Sequence, residues 1–323
     1  MAGFILKRIA MSFGILIIIS LLIFLVLQLI PGDAIDILLR GLSEQSFDAH
    51  TIEQLKARFG LDLPLHVQYL KWLGGLLQGD LGTSLVYNRP ITPIILGRVR
   101  ASLILAVPAT LMMIVLGLGL GTVAAARENS LLDNLISLSS LAGISIPSFL
   151  TGSIFMYIFA VRLNIIPAAY NAVNLESLPW PEKISFFFRV LIFPCVTLSL
   201  EIVAHVARHT RASMLEEMKK PYFRMAILTG LPFWKAVWRH AFRNALLPAI
   251  TVIAINTGYI IAGIVVVEMV FSYPGIGNLV TEAIANRDVP LILSSVFVVS
   301  ATYVFANLIA DVLYALLNPK IRY

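Results

Sequence analysis

The chain has almost no cysteine and little charge. A single cysteine, Cys195, occurs in 323 residues, so no disulfide framework can form and no cysteine-based metal site is supported. Set in an apolar run, it reads as a small buried hydrophobic residue. Charged residues make up only 13% of the chain against 59% hydrophobic, and the mean hydropathy is +0.88. That balance excludes both disordered chains and ordinary soluble domains, and it places the protein in the membrane class. No GxxxxGK[ST] loop, GxSxG elbow or HExxH pair occurs, so the sequence offers no phosphate cradle, no activated serine and no zinc-protease helix. Nothing marks the chain as a catalyst.

The net charge of +6 and pI near 9.5 would suit a nucleic-acid partner only if the basic residues gathered on a polar domain. Instead Lys and Arg stand at the ends of apolar runs and in one loop, the distribution that fixes orientation in a membrane. The basic loop spans residues 208–248. It holds Arg208, Arg211, Lys219, Lys220, Arg224, Lys235, Arg239 and Arg243 against Glu216 and Glu217, so it is predicted to be cytoplasmic.

The expected fold is an all-α integral membrane protein of about six transmembrane helices. Residues 1–30 form the cytoplasmic N-terminus and first span, which is too long for a cleavable signal's core of roughly 7–15 residues. Residues 31–100 are mixed and polar and form an extracytoplasmic segment. It carries an amphipathic helix over 51–60 capped by Gly60 and a second one with Tyr69 and Trp72 as interfacial anchors. Residues 101–323 form a core of five spans, predicted near 101–126, 135–161, 190–207, 247–271 and 291–317, with Pro147 and Gly152 as kink points in the third. An even count puts both termini in the cytoplasm.

Within the basic loop, Pro221 can open a short helix and Gly230 followed by Pro232 can close it, since Gly accepts the left-handed cap and Pro cannot continue the turn. The helix bears Tyr222, Phe223, Ala226 and Ile227 with few polar groups to hold it in water, so it is expected to dock on something. A plain reading of the same charges is a basic loop on anionic lipid. In the fourth span Glu201, His205 and His209 repeat every four residues and share one helical face, as a metal pair or proton relay would. The alternative is local pairing of Glu201 and His205 inside the bundle, with His209 at the cytoplasmic surface. Polar side chains within spans face a partner or a cavity, which makes Glu201, Asn256, Thr257 and Asn307 candidates for lining a pore. Hydrogen bonding between helices is the competing role.

Several strings carry a family resemblance. Ala226 stands four residues before Gly230, with RHAFRNALLP downstream. IPGDA and GLDLPLHVQYLKWLGGLLQGDLGTSL follow the first span, ENSLLDN precedes the third and GISIPSF lies within it, and EMVFSYPGIG follows the fifth. Together they resemble the ABC importer permeases of the dipeptide, oligopeptide and nickel type. The resemblance implies that the segment 222–231 is a coupling helix seated in a groove of an ATPase subunit, with Tyr222, Phe223, Arg224, Ala226, Ile227, Gly230 and Leu231 as its residues. Where the general importer motif has Glu-Ala-Ala, this chain has Arg224, Met225 and Ala226, so no contact made by that Glu carries over.

The resemblance also implies half of a translocation path for peptides, a second homologous permease and an extracytoplasmic solute-binding protein. One or two ABC ATPase subunits would hold ATP and Mg, with no cofactor and no metal in this chain. The setting would be a bacterial or archaeal cytoplasmic membrane, with lipid as a partner and no nucleic acid. Nickel or another small solute is the alternative within the family. Outside it stand a proton-coupled secondary transporter using Glu201, Asp311 or Glu268, and a membrane-embedded enzyme.

Overall fold

The computed structural model describes residues 2–29, 63–166, 179–186 and 190–317. The helix expected over 51–60 and the stretch after Leu317 lie outside the described residues. Among the described residues the chain is helical, with one isolated β-bridge between Thr83 and Pro90, as an all-α membrane protein requires when every backbone donor must be satisfied inside its own segment. The helices are α1 (Ala2–Gln28), α2 (Leu65–Leu77), α3 (Ile91–Ala126), α4 (Leu131–Ser145), α5 (Ser148–Phe155), α6 (Trp180–Phe186), α7 (Ile192–Met218), α8 (Pro221–Leu228), α9 (Phe233–Ala236), α10 (Arg243–Val270), α11 (Ile276–Ala285) and α12 (Val289–Leu317). Two compact units divide the chain.

One unit comprises residues 8–101 and 275–304. Here α2 lies against the first span: the Ser20 hydroxyl and Tyr69 phenol share a 2.9 Å hydrogen bond. Phe24 meets Tyr69 edge-on at 5.5 Å and stacks on Trp72 at 6.5 Å. Tyr69 and Trp72, expected as interfacial anchors, thus belong to an aromatic cluster that also takes in Phe297. The chain returning from α2 is pinned by Asp288, whose buried carboxylate accepts the Ser84 hydroxyl and the N–H groups of Val86 at 3.1 Å and Leu291 at 3.2 Å. A buried carboxylate survives only with such donors around it. Beside it Ile91, Ile95, Leu279, Ala283 and Leu291 form an apolar core, and Arg98 pairs with Glu282 at 2.9 Å.

The structure starts α3 at Ile91, ten residues before the span expected from residue 101. Arg98 and Arg100 made this stretch read as loop. At 1.5 Å per residue the 36-residue helix is about 54 Å long, well beyond the ~30 Å of a hydrocarbon core, so polar turns at its end are tolerated.

The other unit comprises residues 1–7, 102–274 and 305–323. At its centre α7 packs against α4, α5 and α10. Gly117 and Gly121 bring α3 onto α7: a Cβ on Gly121 would lie 2.5 Å from the Ala207 carbonyl oxygen, and one on Gly117 2.6 Å from Val206, the close approach that small residues permit in membranes. Ser102 donates to the buried Glu268. At the other end Ser130 caps α4 by accepting the Asp133 N–H at 3.2 Å. Buried Asp133 then receives Arg211 of α7 in a two-pronged bond of 2.6 and 2.7 Å.

The third expected span is broken rather than kinked. Pro147 lacks an N–H and holds Ile146 extended at φ −98°, ψ 117°, and the two halves meet at 101°. Among the described residues four helices are long and apolar enough to cross a membrane, or five if the bent pair is one span. The remaining expected span falls on α7, which is 27 residues long but carries Glu201, His205, Arg208, His209 and Arg211 along its length.

Candidate functional site

The basic loop folds as expected into a short helix, α8. Lys220 is extended before Pro221, and Pro at the first position costs no hydrogen bond because that N–H has no intrahelical partner. At the far end the Gly230 N–H bonds the Ile227 carbonyl at 3.0 Å and the Leu231 N–H bonds the Ala226 carbonyl at 3.1 Å. Gly230 sits at φ +86°. This is the paired Schellman closure, in which a left-handed residue turns the chain and two otherwise orphaned carbonyls are satisfied. It gives the Ala-x-x-x-Gly spacing a physical meaning: Ala226 supplies the acceptor, Gly230 the turn and Leu231 the apolar contact that accompanies it.

The helix has two faces. Phe223 is buried and joins Ala125, Met214, Ala236, Val237, Ala241 and Ala245 in a core, with Ala226 and Leu231 packed at its edge. The opposite side exposes Tyr222, Arg224, Met225, Ile227 and Leu228, the last at 75% of its surface. The predicted residues therefore separate: Phe223, Ala226 and Leu231 hold α8 to its own chain, while Tyr222, Arg224, Ile227 and Gly230 are accessible. Met225 and Leu228 are the most exposed apolar groups on the open face and were not predicted. Helical spacing from Tyr222 and Arg224 would have found them.

Tyr222 is further held by Glu217, which accepts its hydroxyl proton, and by Asn244, which donates to its oxygen at 3.0 Å. Burial pushes the Tyr222 phenol above its usual range, and the bond to Glu217 adds to this. Burial also opposes ionisation of Glu217, but the hydrogen bonds from Lys220, at 2.6 Å, and Tyr222 outweigh it and hold the carboxyl below the usual range.

The candidate pore-lining residues separate in the same way. Glu201 and Asn256 border one cleft of about 540 Å³ between α5, α7 and α10, together with Ser148, His205 and Tyr259. Thr257 instead turns its hydroxyl to the Ile253 carbonyl at 2.9 Å, and Asn307 lies on α12 outside the cleft. Ser148, His205 and Tyr259 were missed as lining residues, although Tyr259 stands one turn beyond Asn256 and His205 one turn beyond Glu201. The local pairing expected of Glu201 and His205 is absent: among the described residues neither takes a hydrogen bond or an ion pair, while Asn256 donates to the Val252 carbonyl at 2.7 Å. His209 is exposed, and among the described residues no three His, Cys, Asp or Glu side chains gather as metal ligands would.

Comparison with known proteins decides the family. Residues 117–323 match the family described as binding-protein-dependent transport system inner membrane component, and residues 1–106 match the N-terminal family of the same systems. The chain belongs to this family of permeases. Over its full length, and all of theirs, the permease is 35% identical to a probable peptide ABC transporter permease protein of Sinorhizobium fredii. It is 34% identical to the glutathione transport system permease protein of Salmonella typhimurium and to the oligopeptide transport system permease protein of Bacillus subtilis, again with both chains fully covered. It is therefore a multi-pass membrane component of a transport system that works with a binding protein, and a transport subunit rather than an enzyme.

Proposed function

We propose that this permease forms half of the translocation path of an ATP-driven peptide importer. The full-length likeness to permeases named for peptide, glutathione and oligopeptide transport carries this reading. In it, α8 is the coupling helix. Its inner face is anchored on this chain, and its outer face offers Tyr222, Arg224, Met225, Ile227, Leu228 and Gly230 to an ATPase groove. A second homologous permease completes the path, one or two ATPase subunits hold ATP and Mg, and an extracytoplasmic binding protein delivers the solute. Both termini are cytoplasmic, on the same side as the basic loop. Of the residues that could line the path, Glu201 and Asn256 have the strongest support, because both border the cleft between α5, α7 and α10.

A docked helix is what separates this reading from a proton-coupled transporter, which needs no site for ATPase closure to act upon. The test is to extract the tagged permease in mild detergent and identify its companions by mass spectrometry. An ATPase and a second permease are expected. Recovery of the chain alone, able to transport in liposomes without ATP, would overturn the proposal.

A further inference from the structure

The cleft bordered by Glu201 has a definite chemical character. Glu201 and His205 lie one turn apart on the same face of α7, half-buried, and neither has a partner among the described residues. From α10 come Asn256, whose amide oxygen accepts no hydrogen bond among the described residues, and Tyr259, which is 64% exposed with its hydroxyl likewise unbonded among them. Among the described residues no Lys or Arg lines this cleft, and Arg208, the next base along α7, is exposed two turns beyond Glu201. An ionisable group at such depth is costly in lipid and is retained where it meets water, a partner or cargo. About 540 Å³ falls within the usual range of small-ligand sites.

We propose that this cleft is a solute station in the translocation path, where the Glu201 carboxylate receives an ammonium group of the passing solute while Asn256 and Tyr259 meet neutral amides. The proposal rests on the peptide-importer reading. A peptide N-terminus and a lysine side chain present the same ammonium chemistry to a carboxylate. Nothing bonds covalently: the site exchanges water for charge-assisted hydrogen bonds and returns it when the solute leaves.

The test uses the complete importer in liposomes, comparing E201Q and E201D with wild type on three probes: trialanine, N-acetyl-trialanine and an N-acetylated tripeptide containing lysine. Dividing variant by wild-type uptake cancels selection by the binding protein, which is the same in both. For E201Q the ratio should fall about tenfold for probes bearing an ammonium, the worth of one hydrogen bond to a charged group, and stay near one for N-acetyl-trialanine. E201D should recover part of the loss. A fall with trialanine alone assigns the N-terminus, and a fall with the lysine probe as well extends the site to side chains. Equal ratios for all probes would overturn the proposal.

A second measurement avoids dependence on probe choice. The native Cys195 is buried, so E201C should be the thiol that reacts with a water-soluble methanethiosulfonate, and excess trialanine should slow that reaction. An E201C complex as inert to the reagent as wild type would refute a water-filled cleft. Failure of the peptide reading itself would appear separately, as no peptide uptake by the wild-type importer.

Discussion

Gly230 gives the sharpest test of how α8 works. Its φ of +86° lies in the left-handed region, and an added Cβ would meet nothing within 4 Å of its own chain. The intrinsic cost of a side chain there is therefore backbone strain alone, roughly 1–2 kcal/mol for an ordinary residue and less for Asn, which visits that region readily. Thermal stability of the purified permease should fall slightly and similarly for G230A and G230E, and least for G230N. Each variant should still reach the membrane, because Phe223, Ala226 and Leu231 keep α8 on its core. Uptake should follow a different order. If the open side of Gly230 faces an ATPase groove, the loss grows with side-chain size: G230A partial, G230N greater, G230E complete. Normal uptake by G230E at normal membrane levels would refute the coupling assignment. A stability loss of many kcal/mol in G230A would refute the argument from open space.

Three further outcomes can be checked alongside. Removing Arg211 strands the buried Asp133 carboxylate, so R211A should destabilise by about 3 kcal/mol, the low end for a broken buried pair because Arg211 keeps 29% of its side-chain surface; D133A/R211A should be milder than R211A in the same detergent melt. Glu217 has a lowered pKa, so its stabilisation of the α8 entry is present at neutral pH and lost as pH falls through that lowered value, below the ordinary Glu range near ~4.3. E217Q should flatten this acid limb of a stability-against-pH curve. H209A should leave uptake within about twofold of wild type, since its side chain is exposed and outside the cleft, a difference no larger than ordinary surface changes produce; a total loss would revive a metal or relay role.

Much of this architecture was legible because it rests on short-range rules. Pro221 and Gly230 marked both ends of α8 through backbone geometry that any sequence must obey, and the excess of Lys and Arg set apart the loop that carries it. Long apolar runs likewise marked α1, α3, α10 and α12. The third span misled because Pro147 is compatible with both a kink and a full break, and only the packing of α4 and α5 on α7 chooses between them. The start of α3 was hidden for a related reason: Arg98 reads as loop until its partner Glu282, 184 residues away, is in place. At the cleft, Glu201 and Asn256 were found through the cost of polar groups in lipid. That rule could not tell them from Thr257, whose hydroxyl is satisfied by its own helix.

The glycine contact between α3 and α7 has a mechanical consequence. With Gly117 and Gly121 set against Val206, Ala207 and Thr210, two long helices meet backbone to backbone over more than a turn, leaving no layer of flexible side chains to absorb displacement. They form a stiff double beam. One end of this beam leads through Lys219 and Lys220 into α8, and the same helix α7 carries Glu201 and His205 further along. A force applied at α8 would turn such a beam as a whole rather than bend it locally. Enlarging Gly121 would shim the joint apart and decouple the two ends while leaving each intact.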